Sequence, residues 1–249
     1  MSALKPLKMM FTCIVFLSFC QAALATPIST SDVITNWTSD GSPVDGVLLG
    51  NWTTSSGDIV ATSNHAGSLT SDVSANSDFS FSVNSLARDN DTFGLVWGFQ
   101  DLANHYRFSW AQDWGENGTG GAGHGVDGFK IIKEVGGISN VLFSSNTEYV
   151  QNQTYDLRVD GTVAGFTVQV ENLSTSTLIF NESITDTTFA SGSVGIHELY
   201  QENGGNVWSN FDLDTSTSVP EPSMVAIFAS GMLLIGIRRR MSKPVPSVG

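Results

Sequence analysis

The central part of this chain predicts an all-β domain of two packed sheets, on three observations. Apolar residues recur with a period of two in short runs, and glycine-bearing turn signals fall between the runs. No stretch between the two terminal apolar segments carries a convincing helical period. Roughly a dozen short strands in one domain bury their apolar sides only by forming two facing sheets, so a sandwich or jelly roll follows.

The elements can be justified in chain order. Phe79, Phe81 and Val83 alternate with Ser80 and Ser82, which predicts a strand with one wet face. Phe93, Leu95, Trp97 and Phe99 repeat the period, and Tyr106, Phe108 and Trp110 continue it. Trp97 and Trp110 are in phase with these apolar residues, so both are read as core. Gly136-Gly137 between Phe129–Val135 and Ile138–Phe143 predicts a hairpin, and Asp160-Gly161 between Leu157–Val159 and Val163–Val170 predicts a second. Val194, Ile196 and the run Val207 to Leu213 close the domain.

Both ends carry sorting chemistry. Lys5 and Lys8 precede the apolar run Met9–Phe19, and Ala23-Leu24-Ala25 supplies small residues, so residues 1–25 are read as a secretory signal peptide cut after Ala25. Cys20 is not read as a lipid anchor, because Phe19 is too bulky for the residue before a lipidated cysteine. At the other end, Pro220 and Pro222 deny the backbone a helix and leave an extended, cuttable stretch. An apolar run, Met224–Ile237, follows; as a helix it spans about 21 Å against a hydrocarbon core of about 30 Å, marginal for a permanent span. Arg238, Arg239 and Arg240 then predict a cytoplasmic end. An uncut membrane anchor is the alternative reading. The map is therefore signal peptide 1–25, sandwich 26–213, linker 214–219, sorting signal with hydrophobic helix 220–240, and polar tail 241–249.

Composition narrows the partners. Both cysteines, Cys13 and Cys20, lie in the signal segment, so the exported domain has neither a disulfide nor a cysteine metal site. Residues 26–219 hold 23 acidic side chains against five basic ones (Arg88, Arg107, Lys130, Lys133, Arg158), which argues against nucleic acid or anionic lipid as a partner.

Three side-chain groups carry candidate chemistry. Asp89 and Asp91, two apart around Asn90, are hard oxygen ligands suited to Ca²⁺, with Asp101 and Asn104 as reserves if the strands fold back. A solvated turn is the plainer reading. The glycine-dense stretch from Gln112 to Gly128 carries Asp113, Trp114, Glu116 and Asn117; an aromatic ring beside carboxylates and amides suits a sugar, and a flexible connection is the alternative. His197 beside Glu198 lies within a strand and is read as structural or exposed, and the four histidines show no zinc spacing. Asp113 and Glu116, three apart, would point to opposite faces of a strand, and no nucleophile elbow occurs, so catalysis is not expected.

Two resemblances add to this. Val219-Pro220-Glu221-Pro222, the apolar run and the arginines, in that order, resemble the PEP-CTERM signal of Gram-negative bacteria. The resemblance implies processing near Pro220–Pro222 by an exosortase, a membrane-embedded cysteine transpeptidase. It also implies transient retention at the inner membrane, then display at the cell surface or in extracellular polymer. The tail Met241–Gly249 departs from the pattern, since such tags usually end soon after the arginines. The run from Asp89 to Gln100, with His105-Tyr106-Arg107-Phe108-Ser109-Trp110, looks like the centre of the thrombospondin C-terminal domain. Gly192–Ile196 and Trp208–Leu213 are similar to its closing strands. That likeness implies a concanavalin/L-type-lectin-like β-sandwich, structural Ca²⁺, and adhesion to a polysaccharide or another matrix component. A secreted glycan-active hydrolase and a passive coat protein are the competing readings. Seven Asn-x-Ser/Thr triplets, at Asn36, Asn51, Asn90, Asn117, Asn152, Asn172 and Asn181, leave glycosylation open.

Overall fold

The computed structural model describes residues 26–40, 52–61, 65–112, 128–201 and 205–215. In chain order the elements are β1 (Thr26–Ile28), α1 (Thr30–Asn36), β2 (Thr38–Asp40), β3 (Trp52–Ser55), β4 (Asp58–Ala61), β5 (His65–Ala75), β6 (Phe79–Leu86) and β7 (Thr92–Asp101). They continue as β8 (Asn104–Ala111), β9 (Gly128–Val135), β10 (Ile138–Ser145), β11 (Thr154–Thr162), β12 (Gly165–Asn172), β13 (Thr177–Ile184), β14 (Gly192–Gln201) and β15 (Val207–Asp214). The strands make two antiparallel sheets. One has eight strands, ordered β13-β12-β11-β6-β15-β4-β3 with β1 added beside β15; the other has seven, ordered β10-β9-β8-β7-β14-β5-β2. The jelly-roll sandwich that the alternation predicts is the fold that forms.

Period-two patterning places the core. Phe81, Val83, Leu157, Val159, Val168 and Val170 face inward from the eight-stranded sheet, and Phe93, Leu95, Trp97, Phe108, Trp110, Ile131 and Ile196 from the seven-stranded one. Aromatic rings dominate the contact. Trp110 packs edge-on against Tyr149 and Tyr155 at 5.5 and 4.8 Å, and Phe93 packs against Trp208 at 5.8 Å, geometries that add to plain area burial. Trp97 and Trp110 are fully buried, as their phase requires.

The structure departs from the sequence reading in three places. First, α1 is a helix where no helical period shows. Ser29 caps it by accepting the Asp32 N–H at 3.1 Å, and Val33 is its one buried residue, too few to make a stripe. Second, Gly136-Gly137 does turn, with φ of 59° and 77°, but Asp160-Gly161 does not. Both residues lie within β11, and the chain reverses at Val163-Ala164 instead. Gly161 is needed for packing: a Cβ there would sit 2.1 Å from the Phe79 ring. Third, Asp101 and Asn104 do not approach Asp89 and Asp91. The whole of β7 separates the two pairs, about 30 Å of extended chain. Asp101 instead accepts from the Asn104 side-chain amide at 2.9 Å and closes its own turn.

Candidate functional site

The outer face of the seven-stranded sheet is built from residues opposite in phase to the core. Strand register lines them up in rows. One row runs Asp40, Ser68, His197, Gly94, Ser109, Lys130, Ser144; the next runs Thr38, Thr70, Gly195, Val96, Arg107, Ile132, Val141; His105, Glu134 and Ser139 begin a third. The middle of the face has no side chain at Gly94 or Gly195. A Cβ at Gly94 would lie 1.8 Å from the Phe108 carbonyl oxygen, so close backbone approach fixes that bare floor.

Polar and charged residues on this face are buried, although it is an outer layer. Ser68, Thr70, His105, Arg107, Ser109, Glu134 and His197 all keep under a tenth of their surface exposed. They are partly knitted together. Ser109 Oγ and His197 Nε2 lie 3.2 Å apart, Ser139 Oγ donates to Glu134 Oε2 at 2.7 Å, and Arg107 Nη1 stands 3.4 Å from the same oxygen. Burial, then the Arg107 charge, pushes His105 down to about 4, so it is neutral at physiological pH. Burial, then Arg107, also lowers Lys130.

A second neighbourhood lies at the end of the sandwich where β6 passes to β7 and β14 to β15. Asp89 Oδ1 accepts the Asn90 N–H at 2.9 Å. The Tyr149 hydroxyl reaches the backbone oxygens of both Asp89 and Asp91, at 2.7 and 2.5 Å. Asn206, fully buried, accepts the Arg88 N–H at 3.0 Å. On the core side, Glu198 accepts the Trp208 indole N–H at 2.6 Å, a bond that joins the two sheets. Burial pushes Glu198 up to about 8, with a smaller contribution from repulsion by Asp89, so it is a neutral acid at pH 7.

Of the residues singled out in the sequence, Asp89 and Asp91 thus share a loop clamped by Tyr149. Among the described residues no group of three or more His, Cys, Asp or Glu side chains is placed to hold a metal ion. Two carboxylates fall short of the six to eight oxygens Ca²⁺ takes, so an ion here needs further oxygens from backbone carbonyls, amide side chains or water. Asp113, Trp114, Glu116 and Asn117 lie outside the described residues, as do Pro220, Glu221, Pro222, Arg238, Arg239 and Arg240. The strand ends that flank residues 113–127, Ala111 and Gly128, pair with each other one row beyond Ser109 and Lys130. The sequence reading missed His105, Arg107, Ser109, Lys130, Glu134 and His197 as a set. The signal was the polar alternation His105-x-Arg107-x-Ser109, the counterpart of the apolar Tyr106-x-Phe108-x-Trp110. Among the described residues no helix is long and apolar enough to cross a membrane.

Known proteins fit this picture at two levels. Residues 218–240 match the PEP-CTERM protein-sorting motif. In three dimensions the chain is similar to the carbohydrate-binding module CBM66 from Bacillus subtilis, with a TM-score of 0.52 and 17% identity over 72% of this chain and 96% of that one. It is similar to the exoplasmic/lumenal domain of VIP36 in its Ca²⁺/Man2-bound form, with a TM-score of 0.55 and 12% identity over 76% and 84%. Peanut lectin gives a TM-score of 0.52 and 12% identity over 78% and 99%. At such identities the likeness is one of fold, a lectin-like jelly roll. No curated protein matches the chain in sequence.

Proposed function

We propose that this chain is an exported, non-catalytic glycan-binding protein whose recognition surface is the outer face of the seven-stranded sheet. One observation carries the reading: charged and hydrogen-bonding side chains are buried on a face that an ordinary sandwich leaves to water. Buried polar groups of this kind are what a binding surface uses to fix orientation and specificity. The carbohydrate-binding module and the lectins of the same fold support it. Asp113, Trp114, Glu116 and Asn117 are proposed as further sugar contacts, a role supported by the strand ends Ala111 and Gly128, which continue the rows of this face. The sorting motif supports processing by an exosortase near Pro220–Pro222, with inner-membrane retention until the cut. Delivery is then to the cell surface or extracellular matrix, where adhesion to polysaccharide or another matrix component is the role.

Glu134 and Asp40 do not form the acid–base pair of a hydrolase. Glu134 on β9 and Asp40 on β2 are carboxylates on this face, five inter-strand steps apart, which is about 24 Å. Two carboxylates flanking a glycosidic bond stand about 5 to 10 Å apart. A glycan array tests the main reading, with the purified protein applied beside a variant carrying Arg107→Gln, Glu134→Gln and His197→Ala, which removes the buried pair together. The expected result is binding to at least one glycan that the variant loses while its unfolding midpoint holds. Wild-type protein that binds no glycan, or a reducing-sugar assay showing turnover, counts against it.

Calcium at Asp89 and Asp91 is the second part of the proposal, supported by the Ca²⁺-bound forms of VIP36. Chelation is expected to lower the unfolding midpoint by about 3 °C or more. Asp89→Asn with Asp91→Asn is expected to abolish that response. An unchanged midpoint on chelation rules the ion out as a structural element.

A further inference from the structure

We propose that Arg107, with Lys130 beside it, forms a carboxylate-binding subsite on this outer face that recognises a uronic acid residue within a glycan. The proposal rests on the glycan-binding reading and adds the ligand class. Residues 26–219 contain five cations. Two of them are held by close carboxylates, Lys133 by Asp186 at 2.6 Å and Arg158 by Asp160 at 2.9 Å. Arg107 is different. Its Nη1 stands 3.4 Å from Glu134 Oε2, longer than the roughly 2.7–2.9 Å of a charge-assisted bond, and that oxygen already accepts from Ser139.

Arg107 Nε and Nη2 are buried and have no hydrogen-bond partner, on a residue 7% exposed. Buried donors of this kind are ordinarily satisfied, because stripping water from them is unfavourable. Nε and Nη2 lie on one edge of the guanidinium, and two parallel N–H groups on a planar fork match the two oxygens of a carboxylate. Sugar hydroxyls, which must donate as well as accept, match that edge less well. Lys130 lies one row away across from Ser109, and its ammonium is destabilised by burial and by Arg107. An anion between the two cations relieves that repulsion.

The chain's overall charge selects which anion. A net charge of −13 repels a dense polyanion beyond the contact distance. A single carboxylate spaced among neutral sugars escapes most of that repulsion, which salt screens beyond about 8 Å at physiological ionic strength. Glu134 is the internal competitor for Arg107.

An array of neutral and uronate-containing oligosaccharides, each acidic member printed beside its methyl ester and a sulfated counterpart, tests this. The wild-type domain is expected to bind an acid at least about tenfold more tightly than its ester, the size of one charge-assisted pair. Glu134→Gln, which removes the competitor, is expected to widen that preference. Should Glu134→Gln leave Arg107 too isolated to fold, Arg107→Gln with Glu134→Gln removes the buried pair together. That double variant is expected to keep its unfolding midpoint near wild type and lose the preference. Lys130→Gln is expected to weaken the preference in part. Equal binding of acid and ester, or a preference that survives in the double variant, overturns the subsite and leaves glycan binding standing. Sulfated counterparts bound as tightly as uronates overturn the assignment to carboxylate. Wild-type protein that binds no member overturns glycan binding and the subsite together.

Discussion

The two outer faces of this sandwich obey different rules. On the eight-stranded sheet, Ser82, Asn84, Asp156, Arg158, Asp160, Thr167, Gln169 and Glu171 alternate with the core and are half-buried or exposed. On the seven-stranded sheet, the outward positions Gly94 and Val96 of β7, His105, Arg107 and Ser109 of β8, and Gly195 and His197 of β14 are buried as well, polar or not. Each face carries an arginine–carboxylate pair. Arg158–Asp160 is the shorter, at 2.9 Å, with side chains 45% and 31% exposed; Arg107–Glu134 is longer, at 3.4 Å, with side chains 8% and 10% exposed. Distance alone ranks the exposed pair first. Burial reverses the ranking, because removing one partner of the buried pair leaves a poorly hydrated charge, whereas removing one of the exposed pair leaves a charge already hydrated.

That contrast makes its own tests. Glu134→Ala, which strands Arg107, is expected to destabilise the domain by about 3–5 kcal/mol in urea unfolding. A loss no larger than that of a surface substitution would erase the distinction between the faces. Next in size is the pH dependence set between the sheets. Glu198 is raised from its ordinary 4.5 to about 8 in the folded state, so the native protein binds the proton that the unfolded chain releases. Its contribution is therefore complete below about pH 4.5 and is lost as pH rises toward 8, an effect on the order of a few kcal/mol. His105 acts in the opposite direction on the outer face. Its folded value near 4, against an ordinary 6.5, gives stability that is present above pH 6.5 and lost as pH falls toward 4. Unfolding midpoints across pH 4–8 should flatten on the alkaline side in Glu198→Gln and on the acid side in His105→Gln. Asp160→Ala closes the series with a cost of about 0–1 kcal/mol.

The same asymmetry explains what the sequence could and could not disclose. The eight-stranded sheet is legible because polar outward residues mark its period: Ser80 and Ser82 against Phe79, Phe81 and Val83. The inward side of the seven-stranded sheet is equally legible, with Trp97 and Trp110 in phase. Its outward side is not, because an alternating Arg or His reads as solvated when only the burial of that side distinguishes it. His197 and Glu198 illustrate the limit. Adjacent in sequence and both buried, they point to opposite layers, one toward Ser109 on the outer face and one toward Trp208 in the core. Gly161 misleads for a related reason. Asp-Gly encodes a turn by local conformation, and packing against Phe79 overrides it with a contact made 82 residues away in the chain. Asp89 and Asp91 are visible as a motif, but the clamp on their backbone comes from Tyr149, which no local pattern announces.

The pairing of β1 with β15 has a bearing on how the molecule is presented. Thr26 lies opposite Leu213, so the first residue after the expected leader cut and the last strand before the sorting segment meet at one pole. The Asp89 loop and Asn206 lie beyond the other end of β15, about 25 Å away along that strand. Leader and sorting segment therefore attach to the same side of the domain, like two cords tied to one eyelet. The opposite pole, with Asp89, Asp91 and the paired strand ends Ala111 and Gly128, is therefore the part of the domain farthest from both points of attachment.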